Sequence, residues 1–320
     1  MTAPGDSATL PAFFIVGVGR SGTTLARAIL TGHPHLVVPS ETGFVPALLR
    51  AAPLWWNGSG VRSGLFVRLA FANGRLARAG VDPAQLRRRL ARRPPASTAE
   101  AIGRIYELFS KGDGSVRVGD KTPSYGLHVE RLARAFPHAQ FIHMVRHPLD
   151  VVASLRRQPW GPNDPMAAAG MWLRGMRAVS DSTLRADRLL TVRLEDLIAE
   201  PDAIVDRLAR HLRVDSHADM LRFSERAHEI SHQNVHPESH LGLGGSLAPT
   251  RDWREGLVGG EARGVWSLVV DSAAPLGYSG PPGPGPRVSE AAAMRRLRMF
   301  ELSRSWRRLR TLGHVVGGRA

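Results

Sequence analysis

Five short segments carry residue types and spacings able to do chemistry. The first is Gly17-Val18-Gly19-Arg20-Ser21-Gly22-Thr23-Thr24, between an apolar run and a helical pattern. Its glycines allow a tight turn, and its backbone N–H groups can converge on an anion at a helix N-terminus. The glycine spacing and Thr24 match G-x-x-x-x-G-K-[ST], but Thr23 stands in the lysine position. A kinase needs that cation at the terminal phosphates, so Thr23 argues against a degenerate kinase and leaves phosphate binding. The plain structural account is a strand–turn–helix junction whose glycines serve geometry alone. The second segment, Phe141 to Ser154, reads as a strand ending at Arg146 and a helix opened by Pro148. Arg146 offers a bidentate fork to phosphate, and Ser154 adds a hydroxyl two turns into the helix. Its bland counterpart is a capped helix with a surface arginine.

The third segment is Pro39-Ser40-Glu41-Thr42-Gly43-Phe44, which places Glu41 at the carboxyl end of a strand, where open α/β sheets hold ligands. The fourth is Gly119-Asp120-Lys121-Thr122-Pro123, following another strand. Lys111 and Lys121 are the only lysines beside 41 arginines. A lysine kept in so arginine-rich a chain fits a need for a compact point charge; the alternative is a solvated turn lysine beside Asp120. The fifth, His228-Glu229-Ile230-Ser231-His232, has the His-Glu-x-x-His spacing of a zinc metalloprotease. Pro237 interrupts that helix and no glycine-spaced third histidine follows, so a solvated, histidine-rich helix end is the plainer reading.

Arg20-Ser21-Gly22-Thr23-Thr24 resembles the 5′-phosphosulfate loop of sulfotransferases that use 3′-phosphoadenosine 5′-phosphosulfate (PAPS). Arg146 with Ser154 eight residues on is similar to the pair with which that family grips the 3′-phosphate. His33-Pro34 followed by Glu41-Thr42 is similar to tyrosylprotein sulfotransferases, whose glutamate is the proposed base. The resemblance implies that Glu41 deprotonates an acceptor hydroxyl while Lys121, Arg20 and the loop amides of Gly19, Ser21, Gly22, Thr23 and Thr24 hold the departing 5′-phosphate. It implies PAPS as co-substrate and no metal. Ser246 to Leu257 resembles the family's late basic-plus-Trp segment, which makes Arg251 and Arg254 further nucleotide contacts. Two departures stand out: Gly43 occupies a position where the tyrosylprotein enzymes have arginine, and Leu194 one where the family usually has tyrosine. The resemblance runs from Phe13 to Leu257, with residues 46–115 unmatched.

The elements that must position these residues alternate between strand and helix. Strand patterns occur at Phe13–Val16, Leu36–Val38, Val116–Val118 (the weakest), Gln140–Val145 and Leu189–Leu194. Helical patterns follow at Thr24–Leu30, Leu149–Arg157 and Ala203–Leu212. That alternation predicts an α/β fold with a mostly parallel sheet, and with the loop it predicts a three-layer, P-loop-type sheet flanked by helices. Residues 46–115 read as a helical insertion on the acceptor side. The expected organisation is a domain over 1–280, a Pro/Gly linker over 281–290, and a basic C-terminal helix over 291–320.

The chain has 43 basic and 28 acidic residues, a net charge of +15, and no cysteine, which excludes disulfides and thiolate metal sites. No secretory signal and no long apolar run is present, so the cytoplasm is the expected compartment. No helix-turn-helix, zinc finger or aromatic-interleaved basic strand supports nucleic-acid binding. The stretch 291–312, with Leu297, Phe300, Leu302, Trp306 and Leu309 among arginines, either packs on the domain or makes peripheral contact with an anionic membrane. The expected acceptor is a small molecule, a saccharide or a lipid, selected by the insertion and by residues 228–247.

Overall fold

The computed structural model describes residues 11–110, 113–224 and 252–317, with side chains as far as 305. They fall into two compact units, one within Met1–Val145 and Ala178–Pro249, the other within Arg146–Arg177 and Thr250–Ala320.

The first unit is built on five parallel strands: β1 (Phe13–Gly17), β2 (Leu36–Val37), β3 (Arg117–Lys121), β4 (Gln140–Val145) and β5 (Leu189–Arg193), in the order β2-β3-β1-β4-β5. Every residue of β1 is buried, as a central parallel strand covered on both faces requires. Its side chains alternate between two cores. Phe14 and Val16 join one with the insertion and α8 (Val129–Ala135); Phe13 and Ile15 join the other with α1 (Thr23–Leu30), α11 (Leu194–Ala199) and α12 (Pro201–His211). The three layers follow from that alternation. Phe13 pairs with Gly119 across the sheet, and its ring lies where a Cβ on Gly119 would be, 2.2 Å from Cε2.

β3 differs from the sequence expectation. It starts one residue later and runs on through Gly119, Asp120 and Lys121, placing the lysine motif in the strand instead of after it. The last four residues of β3 are buried, so polar side chains occupy positions where an apolar pattern would have marked a strand.

The insertion folds into α2 (Val45–Arg50), α3 (Ala52–Trp55), α4 (Ser63–Phe71), α5 (Arg75–Arg78), α6 (Pro83–Arg92) and α7 (Thr98–Tyr106). Asp82 caps α6 by accepting from Ala84 N at 2.8 Å, with Pro83 at the first helical position. Ser97 accepts from Glu100 N and starts α7. Trp55 packs edge-on against Phe66, 4.7 Å between ring centres, within a core that includes Leu86 and Tyr106.

The second unit contains α9 (Pro148–Arg156), α10 (Pro165–Ser180) as far as Arg177, α13 (Gly259–Ala273) and α14 (Glu290–Gly317). α14 lies on α10: Ala293 and Leu297 are buried, and a Cβ on Gly170 would meet the Ala293 carbonyl at 3.2 Å. Ion pairs Arg177–Glu290 and Arg174–Glu301 fasten the two helices. Among the described residues no helix is long and apolar enough to cross a membrane.

Candidate active site

The loop after β1 begins with a close approach. Gly17, at φ 155°, would put a Cβ 2.4 Å from the Met144 carbonyl of β4. Ser21 N donates to Val18 O at 3.2 Å, closing a tight turn. Arg20 sits at φ 77° and Gly22 at φ 85°, both left-handed. A non-glycine residue held there is strained by roughly 1 kcal/mol or more, a feature that clusters at ligand-binding loops. Gly22 precedes α1 and has no side chain with which to cap the first N–H groups of the helix. Ser21 is 1% exposed, and its Oγ has no hydrogen-bond partner among the described residues. Buried hydroxyls of that kind call for a ligand or water oxygen. Thr23 and Thr24 are buried beside it. A Cβ on Gly22 would lie 2.7 Å from Leu194 Cδ1, so Leu194 braces the loop as an aliphatic packing residue.

Lys121 closes β3 and is fully buried. Its Nζ donates to Glu41 Oε1 at 3.0 Å and reaches Thr24 Oγ1 at 3.5 Å. The sheet therefore brings together Thr24 from the first segment, Glu41 from the third and Lys121 from the fourth. Burial pushes the lysine below its usual range, and the Glu41 charge opposes that shift. The solvated-turn account of Lys121 fails, because neither Lys121 nor its neighbour Asp120 reaches solvent.

Asp120 anchors a network that the sequence reading missed. Its Oδ2 accepts from Thr42 Oγ1 and Tyr106 OH, each at 2.5 Å, and Oδ1 accepts from Thr122 Oγ1 at 2.8 Å. Tyr125 OH is 3.2 Å from Thr42 Oγ1 and accepts from Val45 N at 3.0 Å. Burial raises the Asp120 carboxyl, and the three hydroxyl donors counter it. Burial likewise raises both tyrosines well above their usual value. The network ties the strand carrying Lys121 to the loop carrying Glu41. One signal pointed to it: the chain has 3 tyrosines, and two of them are here. Asn73 and Arg75 of the insertion also reach this loop. Asn73 Nδ2 donates to Thr42 O at 3.0 Å, and Arg75 lies 3.7 Å from Glu41 Oε2.

The second unit holds Arg146 and Ser154. Both are buried, at 6% and 5% exposure, which removes the surface-arginine account. Trp172 Nε1 donates to the Arg146 carbonyl at 3.3 Å, and Arg146 Nε lies 3.9 Å from Asp150 Oδ2. Asp150 Oδ1 accepts from Trp253 N at 2.8 Å, fixing the turn Trp253–Glu255 against α9. Arg254 is exposed there; it pairs with Asp252 at 2.8 Å and stacks over the Trp253 ring at 4.4 Å. Arg251 and the histidines from 228 to 240 lie outside the described residues.

A parallel sheet with a glycine-containing turn between its central strand and α1, and a buried lysine–carboxylate pair at its carboxyl ends, defines an α/β protein of the phosphate-loop class. Residues 11–219 match the sulfotransferase family, and the chain belongs to it. Protein-tyrosine sulfotransferase 1 of Danio rerio is 30% identical over 223 residues, 68% of this chain and 57% of that protein. The chain thus matches little more than half of that relative's length. Among solved structures, the sulfotransferase domain of the Synechococcus PCC 7002 olefin synthase is similar with a TM-score of 0.56 and 22% identity, covering 87% of this chain and 98% of that one. The sulfotransferase domain from the curacin biosynthetic pathway gives 0.58 and 22% over 85% and 99%. At such identities the two establish the fold.

Proposed function

We propose that the chain moves the sulfuryl group of PAPS onto a hydroxyl of a small-molecule, saccharide or lipid acceptor. The observation that carries this reading is the fully buried Lys121 ammonium, 3.0 Å from Glu41 and 3.5 Å from Thr24. The orphaned Ser21 hydroxyl and the uncapped start of α1 fit an oxyanion such as the 5′-phosphosulfate.

In the proposed step the acceptor O–H gives its proton to Glu41 as the oxygen forms a bond to sulfur. The bond from sulfur to the bridging oxygen breaks, and its electron pair stays on the 5′-phosphate of adenosine 3′,5′-bisphosphate. Lys121, Arg20 and the amides of Gly19 to Thr24 stabilise that charge where it develops. An ammonium has three donors, so Lys121 can hold Glu41 and a donor oxygen together. An arriving anion favours its protonated form against the effect of burial. Arg146 and Ser154 are assigned to the 3′-phosphate, with Arg251 and Arg254 as further contacts; Arg254 must first leave Asp252. Gly43 stands where tyrosylprotein enzymes place arginine, which is why a peptidyl tyrosine is not the proposed acceptor.

The test is transfer of radiolabelled sulfate from PAPS to a panel of phenols, saccharides and glycolipids. Label appearing in one acceptor class, and none with Glu41→Gln, is expected. Failure to consume PAPS with any acceptor, or with water, contradicts the proposal.

A further inference from the structure

The helical insertion carries no motif of its own, yet it reaches the base. Arg75, the first residue of α5, lies 3.7 Å from Glu41 Oε2, while Lys121 holds Oε1 at 3.0 Å. Gly43 makes room for it: a Cβ there would sit 2.7 Å from Arg75 Nη1 and 3.4 Å from both Cδ and Cζ. Gly43 adopts φ 63°, so both its conformation and its missing side chain keep that space open. The approach is fixed by the preceding turn. Arg75 N donates to Asn73 Oδ1 at 2.9 Å, and Asn73 Nδ2 donates to Thr42 O at 3.0 Å. Residues 73 and 75 therefore clasp residues 41–43 from outside the sheet.

A surface ion pair of this length would be worth little. Here both side chains are mostly buried, at 28% and 21% exposure, and the backbone clasp has already restricted the arginine. Among the described residues, Lys121 from β3 and Arg75 from α5 both pair with the carboxylate, and Asp120 and Arg27 bear on Lys121.

Granting Glu41 the role of base, we infer that Arg75 is its positioning residue: the insertion holds the second carboxylate oxygen while β3 holds the first. Each oxygen faces a cation from a different element, so rotation of the side chain lengthens at least one of the two ion pairs. A base held in one rotamer presents its remaining lone pairs in one direction, which is what proton abstraction from an oriented hydroxyl needs.

The test compares Arg75→Met, Arg75→Lys and, as a control on the exposed side of the same helix, Arg78→Met. With carboxyl-labelled glutamate, NMR follows the Glu41 titration, assigned through Glu41→Gln. The Glu41 midpoint should move to higher pH in Arg75→Met, return toward wild type in Arg75→Lys, and stay put in Arg78→Met. Hydrolysis of PAPS, with water as acceptor, should fall roughly tenfold in Arg75→Met, with its acid limb displaced in the same direction. Affinity for adenosine 3′,5′-bisphosphate should stay within about twofold, because the phosphate loop is untouched. An unmoved Glu41 midpoint in Arg75→Met, or a loss of hydrolysis shared equally by Arg78→Met, overturns the inference. A moved midpoint in a protein whose wild type never consumes PAPS leaves the ion pair standing and overturns the sulfuryl-transfer reading, and the base-positioning role with it.

Discussion

Replacing Lys121 by methionine keeps an unbranched side chain, shorter by the terminal atom, and removes its charge. At 3.0 Å from Glu41, and with an effective dielectric near 20, the gross attraction is about 5 kcal/mol. Burying the ammonium opposes this by several kcal/mol, which is why its pKa lies below the usual lysine range despite the carboxylate. The net effect of Lys121→Met on stability is therefore small, about 1–2 kcal/mol or a few degrees in Tm. Catalysis has no such cancellation, since the folded protein has already desolvated the amine. A donor aimed at a charge that develops only in the transition state is worth roughly a hundred- to a thousandfold in rate. Single-turnover PAPS hydrolysis, a thermal melt and calorimetry with adenosine 3′,5′-bisphosphate separate the two effects. Lys121→Arg should be equally slow, because a fully buried site has no room for the planar fork. In wild type, affinity for the product nucleotide should drop as pH rises through a lysine midpoint lowered by burial. A Lys121→Met protein that turns over within threefold of wild type but melts more than about 10 °C lower would make this a structural lysine and refute the reasoning.

Two predictions concern the sheet that carries the site. Gly119→Ala puts a methyl into the Phe13 ring, 2.2 Å from Cε2; overpacking of that kind should cost about 1–3 kcal/mol in chemical denaturation, and an unchanged midpoint would contradict it. His143 is fully buried in β4, and desolvation holds its pKa at about 4 against 6.5 when unfolded. The neutral ring's contribution is complete above pH 6.5 and is lost as pH falls towards 4, amounting to about 3 kcal/mol. His143→Leu should flatten the pH dependence of unfolding free energy in that window, and a slope equal to wild type would count against it.

The strands around the site were legible to different degrees. β1 and β4 are apolar runs and stand where the pattern put them. β3 was faint because its last residues are Asp120 and Lys121, whose burial depends on distant partners that no local window contains: the hydroxyls of Thr42 and Tyr106 for the aspartate, Glu41 and Thr24 for the lysine. The turn after β1 was readable because its signals are local: glycines, Arg20 and the start of a helix lie within eight residues. Arg75 was not, since one arginine among 41 carries no signal until the chain brings it over Gly43. Arg254 shows the converse: its segment was read as basic-plus-Trp, and in the structure its charge is engaged by Asp252 two residues before it. Leu194, read in the sequence as a departure from an expected tyrosine, packs against the loop at Gly22.

The most direct test of the account is calorimetric binding of adenosine 3′,5′-bisphosphate, with ADP as control and Arg146→Ala beside wild type. The account predicts tight binding of the bisphosphate, weak binding of ADP, and a loss of at least tenfold for the bisphosphate alone in Arg146→Ala, as removal of a charged phosphate contact requires. Equal affinity for the two nucleotides, unchanged by Arg146→Ala, would contradict it.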